Sequence, residues 1–260
     1  MLFAVGDIAS CTNDFDEATA KILDANPVGT IALLGDNVYE VGSASEFANC
    51  YNPTWGRHLA RSRPSAGNHE YQTPGAAGYY AYFGARAGDP DKGYYSYDVG
   101  AWHIIVLNSN IRRDAASAQL NWLRADLQAN IGKACTLAYW HHPRFSSGAH
   151  ANDDSQAAFW EALHAFNADV VLAGHEHNYE RMAPQMPTGV RDDARGIRQF
   201  IVGTGGRELR ALRSMRANSE VFNSNTFGVL RLALSPTGYA WQFLPVAGQS
   251  FTDSGAASCH

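Results

Sequence analysis

The chain has 260 residues, 45% of them hydrophobic, with a formal net charge of −5 at pH 7. That length suits one large α/β domain or two small ones, and the apolar content is enough for a substantial core. The acid excess argues against a nucleic-acid-binding surface, and no apolar run is long enough to cross a bilayer.

In chain order, residues 2–5 read as a first core strand ending at Gly6-Asp7. This strand begins directly after Met1, so a native protein is expected to carry something upstream, and the lack of a signal peptide here is no guide to location. A helix is predicted from about Asp14 to Asn26, with Ala18, Ile22 and Leu23 on its apolar face and Pro27 beyond its end. The run Thr30-Ile31-Ala32-Leu33-Leu34 predicts a buried strand that ends in Gly35-Asp36-Asn37-Val38-Tyr39. A loop of packed irregular structure then leads through Arg63-Pro64 to Gly67-Asn68-His69-Glu70. Residues 72–92 read as a surface excursion with a short helix, and the aromatics around Tyr79–Tyr97 read as core rather than as a substrate platform.

Residues 94–99 and 101–107 predict a hairpin turning at Gly100. A helix from Ser117 to Asn130 carries Leu120, Leu123 and Leu127 at helical spacing. A strand from Cys135 to Trp140 ends in His141-His142-Pro143, and Arg144 follows. A helix from about Asp154 to Phe166 precedes a buried strand, residues 169–173, that ends in Gly174-His175-Glu176-His177. Tyr179-Glu180-Arg181 is expected to brace that last loop, and 184–198 is a loop. Strands are predicted at 199–202, 227–234 and 239–244. Alternating β and α followed by β predicts an α/β fold of two stacked mixed β-sheets flanked by helices, in a single domain spanning 1–260.

Cys11, Cys50, Cys135 and Cys259 form no CxxC pair, which argues against a structural zinc site. Cys11 and Cys50 follow neighbouring strands and could form a disulfide, whereas Cys135 reads as a buried strand thiol. This usage fits a secreted or periplasmic protein. Gly203-Thr204-Gly205-Gly206 lacks the Lys-Ser/Thr of a phosphate-binding P-loop and reads as a tight turn.

Asp7, Asp36, Tyr39, Asn68, His141, His175 and His177 all follow predicted strands. A strand that ends in Gly-Asp places a carboxylate at the sheet edge where open α/β sheets build their sites. Carboxylate, imidazole, amide oxygen and phenolate together suit two metal ions sharing Asp36. Each alone has an ordinary reading as a turn or loop residue, and Asp36 taken alone reads better as a turn aspartate. The combination in this order is what outweighs those readings. His142 reads as a structural neighbour of the site, and His58, His103, His164 and His260 as core or surface residues.

Gly6-Asp7, Gly35-Asp36-Asn37-Val38-Tyr39, Gly67-Asn68-His69-Glu70, His141-x-Pro143 and Gly174-His175-Glu176-His177 resemble the motifs of the calcineurin-like metallophosphoesterases, in the family's order. Ala9 stands where most of that superfamily has a histidine, and Tyr39 stands three residues after Asp36, as in the purple acid phosphatases. The resemblance implies a compact single-domain member of that group. It implies that Asp7, Asp36, Tyr39 and His177 hold one metal, Fe(III), and that Asp36, Asn68, His141 and His175 hold a second, Fe(II), Zn(II) or Mn(II). A metal-bound hydroxide would attack phosphorus, and His69 or His150 would protonate the leaving group. Glu70 could orient His69. Arg144 could contact the phosphate or pair with an acid at the surface, the surface being favoured.

The expected activity is phosphomonoesterase, on a small-molecule phosphate ester, with no nucleic-acid or membrane partner. The rival activity is a phosphodiesterase or phosphotriesterase with a divalent pair, against which Tyr39 weighs mildly. A non-catalytic binding module on the same fold is the weakest reading, because every expected ligand is present.

Overall fold

A computed structural model describes residues 1–260. The strands are β1 (Leu2–Val5), β2 (Ala9–Ser10), β3 (Thr30–Leu34), β4 (Val38–Tyr39), β5 (Ser62–Ser65), β6 (Tyr95–Val99), β7 (Trp102–Val106), β8 (Cys135–Tyr139), β9 (Val170–Ala173), β10 (Tyr179–Met182), β11 (Arg198–Val202), β12 (Ser219–Asn223), β13 (Gly228–Ser235), β14 (Gly238–Pro245) and β15 (Ser254–Ser258). The helices are α1 (Phe15–Asp24), α2 (Ala44–Glu46), α3 (Ala77–Phe83), α4 (Ala118–Ala129) and α5 (Ala157–Ala165), with short 3-10 and π turns between them.

A six-stranded sheet runs β15-β14-β13-β1-β3-β5, and a seven-stranded sheet runs β12-β10-β11-β9-β8-β7-β6. Strands β1, β3 and β5 are mutually parallel, as are β7, β8, β9 and β11. Among the parallel strands, β1, β7, β8 and β9 are short, mostly apolar runs buried along their whole length, as expected where both faces are covered. Alternation along β7 sends Ile104 and Val106 into the core between the sheets and Ile105 into the layer beneath the helices. Leu120, Leu123 and Leu127 of α4 and Phe159, Trp160 and Leu163 of α5 fill that second layer. Ser117 caps α4 by accepting the Leu120 N–H at 3.2 Å.

Several expectations need correction. Cys135 is not a free thiol: it is bonded to Cys259, and the Cys11–Cys50 disulfide is also present. Residues 72–92 are not simply a surface excursion, because Tyr79 and Phe83 of α3 are fully buried in the inter-sheet core. The buried side of α1 is Asp16, Thr19, Ala20 and Leu23, while Ala18 and Ile22 are only half-buried. The helix lies over the 203–206 turn, where Thr19 donates to the Gly205 carbonyl at 2.5 Å. Asp16 accepts from the Thr54 hydroxyl, so polar side chains are buried there with partners. Residues 179–181 are a strand rather than a brace alone, with Tyr179 and Arg181 bonded to Asp253 at 2.7 Å.

Candidate active site

The two sheets present the carboxyl ends of β1, β3, β5, β8 and β9 along one edge, and the loops there are stitched together. The N–H groups of Asp7 and Ile8 donate to the carbonyls of Gly35 and Asp36 at 3.1 and 3.0 Å, and that of Gly174 donates to His141 at 3.0 Å. The Asp7, Asp36, His175 and His177 backbones have φ of 59°, 48°, 73° and 46°. Left-handed conformations are uncommon for such residues and cluster where surrounding structure overrides local preference. Gly67 shows why a motif glycine is required: a Cβ there would lie 2.0 Å from Asp36 Oδ1.

All seven predicted ligands converge. Tyr39 Oη donates to Asp7 Oδ1 at 2.8 Å and lies 3.2 Å from both Asp36 Oδ2 and His177 Nε2. His141 Nε2 lies 3.2 Å from Asp36 Oδ2, 3.1 Å from Asn68 Oδ1 and 3.2 Å from His175 Nδ1. Asp36 Oδ2 therefore belongs to both groups. Metal–ligand bonds of about 2.0–2.2 Å separate neighbouring ligands in a coordination shell by about 3 Å or slightly more, so these spacings, which here are hydrogen-bond distances, also suit ligands around ions. The donor set fits a metal pair.

The electrostatics point the same way. Asp7 and Asp36 are fully buried side by side. Burial, reinforced by the Asp36 charge, raises the Asp7 carboxyl despite His141. Burial also acts to raise Asp36, but the imidazoles of His141 and His69 outweigh it and hold Asp36 low. Burial, with His141, His142 and His150 adding, pushes His175 well below its ordinary value. Burial and the nearby Arg210 lower His177 to about 3, so both imidazoles are neutral and able to ligate. His141 goes the other way: burial alone would lower it, but Asp36 and Asp7 hold it at about 9. Burial, Asp36 and Asp7 together raise the Tyr39 phenol well above its ordinary value. Crowding out of water thus favours the neutral phenol of Tyr39 and opposes ionisation of Asp7, while the Asp36 charge is met by protonated His141 at 3.2 Å, a positive charge that a bound cation would replace.

The two candidate acids flank this cluster. His69 Nδ1 meets the Glu40 carbonyl at 2.5 Å, and Nε2 stands 3.9 Å from Asp36 Oδ2. Its ring lies 4.4 Å from that of Tyr39. The His150 ring lies 4.2 Å from that of His175, with Nδ1 3.5 Å from Glu176 Oε2. His150 borders a cavity of about 220 Å³ shared with His142, Asn152, Asp153 and His175. A larger cavity of about 720 Å³ lies along α1, between Glu17, Ile22 and Leu244, away from the donors.

His142 sits beside the site, its ring 4.4 Å from that of His175 and its Nδ1 2.7 Å from the Ser109 hydroxyl. Arg144 pairs with the exposed Asp154 and covers the Phe145 ring at 4.8 Å, the surface pairing that is the favoured of its two readings. Glu70 does not orient His69: its carboxylate accepts the backbone N–H groups of Asp36, Asn37 and Gly67 at 3.0, 2.7 and 2.6 Å. The 203–206 turn has a role that sequence reasoning missed. Gly203 packs so near Asp7 that a Cβ there would lie 2.7 Å from its Oδ2. The signal was the run of three glycines around Thr204 directly after a strand.

Residues 2–179 match the family model described as calcineurin-like phosphoesterase. The chain is 28% identical over 246 residues to purple acid phosphatase 15 of Arabidopsis thaliana, covering 80% of this chain and 45% of that one. To purple acid phosphatase 21 of the same plant it is 31% identical, covering 72% of this chain and 48% of the relative. The chain thus spans about half the length of these curated relatives. Its fold superposes on that of the purple acid phosphatase PPD1 from yellow lupin (Lupinus luteus) seeds with a TM-score of 0.77 at 17% identity, covering 99% of this chain and 53% of that one. The family implies a metal pair, the converged donors fit one, and the chain belongs to the calcineurin-like phosphoesterases.

Proposed function

We propose that this protein is a binuclear metal-dependent hydrolase of small-molecule phosphate esters, of the purple acid phosphatase kind and acting on phosphomonoesters. The observation that carries this reading is Asp36 Oδ2, which stands 3.2 Å from both Tyr39 Oη and His141 Nε2 and so is shared between two ligand groups. Asp7, Asp36, Tyr39 and His177 would hold Fe(III). A phenol surrounded by buried carboxylates loses its proton only to a strongly charged cation. Asp36, Asn68, His141 and His175 would hold Fe(II), Zn(II) or Mn(II). The pair, when bound, supplies the activated nucleophile and the positive charge that phosphoryl transfer needs.

The remaining work falls to the chain. Backbone amides on Glu70 fix the loop that carries Asp36. With Nδ1 of His69 engaged by the Glu40 carbonyl, its Nε2 faces the centre and is free to carry a proton. His69 or His150 delivers that proton to the departing alkoxide oxygen. The two disulfides support an oxidising location, secreted or periplasmic.

The test is elemental analysis of protein purified without chelators, alongside turnover of mono- and diesters. Two metals per chain including iron, with monoester preference, is the expected result. Two metals without iron and a strong diester preference would replace it with the divalent phosphodiesterase reading. Absence of bound metal after incubation with Fe, Zn and Mn salts would overturn it.

A further inference from the structure

We propose that Arg210 binds a non-bridging oxygen of the substrate phosphate and selects dianionic monoesters over monoanionic diesters. This rests on the phosphoesterase reading and assigns a residue to its specificity.

Arginines recur at every third position of the segment after the glycine turn: Arg207, Arg210, Arg213 and Arg216. The segment is irregular but pinned to the site. The Arg210 N–H donates to the His177 carbonyl at 2.9 Å, and those of Arg213 and Ser214 donate to Ser147 at 3.0 and 3.1 Å. It therefore bridges the two loops that carry His177 and His150. Arg207 is neutralised by Glu40 at 2.8 Å and Glu208 at 2.6 Å. Arg210 has no carboxylate partner. It spends one N–H on a long contact, 3.4 Å, to His150 Nε2.

A guanidinium offers five donors in a fork that matches phosphate oxygens, so most of the Arg210 donors remain for a ligand. His150 in turn stacks 4.2 Å from His175, which places this half-buried cation at the mouth of the donor cluster. In a chain of net charge −5, an uncompensated cation at an anion's destination is a recognition element. Arg144, which pairs with Asp154, leaves this role open. A monoester dianion carries one more charge than a diester, so it gains more from the cation.

The experiment compares wild type with Arg210→Ala and Arg210→Lys, each checked for unchanged metal content and melting temperature. Calorimetry measures binding of inorganic phosphate and of dimethyl phosphate to the metal-loaded proteins, and kcat/KM is measured for p-nitrophenyl phosphate and bis-p-nitrophenyl phosphate. Arg210→Ala is expected to lose roughly 10–100-fold on phosphate and on the monoester, the range of a charge-assisted hydrogen bond. Little change is expected on the diester and dimethyl phosphate, and Arg210→Lys is expected to recover part of the loss. Equal losses on both classes, or none, would overturn the assignment. Wild type that hydrolyses neither ester yet binds phosphate through Arg210 would sink the enzymatic reading while leaving the binding site in place.

Discussion

The carboxylate of Glu70 accepts the backbone N–H of Asp36 at 3.0 Å, and both residues are buried. The same carboxylate holds Asn37 and Gly67, so one side chain clamps the loops after β3 and β5 around Asp36, the proposed shared ligand. Asp36 has a left-handed backbone, and these bonds compensate that conformation.

Glu70→Gln places an amide N–H against backbone donors and should loosen that clamp. Metal affinity is expected to fall about 10–100-fold, the usual cost of losing an outer support of a ligand. Competition with a chromophoric chelator measures it. Unchanged affinity would show that the clamp is dispensable.

Asp36→Asn removes the charge that both ligand groups share. Loss of both metals and of turnover together is the expected outcome, read by elemental analysis and phosphate release. A variant that keeps one metal tightly would contradict the sharing inferred from Oδ2.

His150→Ala and His69→Ala should separate by leaving group. The true acid's removal is expected to cost about 10²–10⁴-fold on an alkyl phosphate, where the leaving alkoxide needs a proton. The same change should cost much less on p-nitrophenyl phosphate. A series of phenyl phosphates of graded acidity gives the slope, which should steepen for one variant only.

His103 is remote from the donors and links stability to pH. Burial alone would lower it, but Asp126 at 2.7 Å and Asp98 at 3.2 Å outweigh burial and raise it. Because the folded value lies above the unfolded value of about 6.5, the stabilisation is complete below pH 6.5 and fades as pH rises through the folded value. His103→Gln should therefore lower the melting temperature more at pH 6 than at pH 9.5. A deficit independent of pH would assign the effect to packing.

The Cys135–Cys259 bond joins residues 124 apart and ties the end of β15, in one sheet, to β8 in the other. Replacing both cysteines with serine should cost about 2–4 kcal/mol of stability, chiefly by freeing the unfolded chain. Urea denaturation measures this, and turnover at 25 °C should persist.

The candidate ligands were legible in the sequence because metal chemistry restricts residue type and because a glycine directly precedes Asp7, Asp36, Asn68 and His175, three of them just past a strand end. Asp7, Asp36, Asn68, His141 and His175 were each ambiguous alone and became legible only in their order along the chain, and the alternation of strands and helices indicated the α/β order. Strands β5, β10, β12 and β15 were not legible: their short sequences lack a strong apolar pattern and are held by neighbours distant in the chain. Sequence alone determined which donor atoms this protein carries and in what order. Tertiary structure decided what surrounds them: Glu70 on backbone amides, Cys135 on Cys259, Arg144 on Asp154, and Arg210 beside His150. A side chain's chemistry is intrinsic, but its partner is chosen by which distant segments the fold brings within a few ångströms.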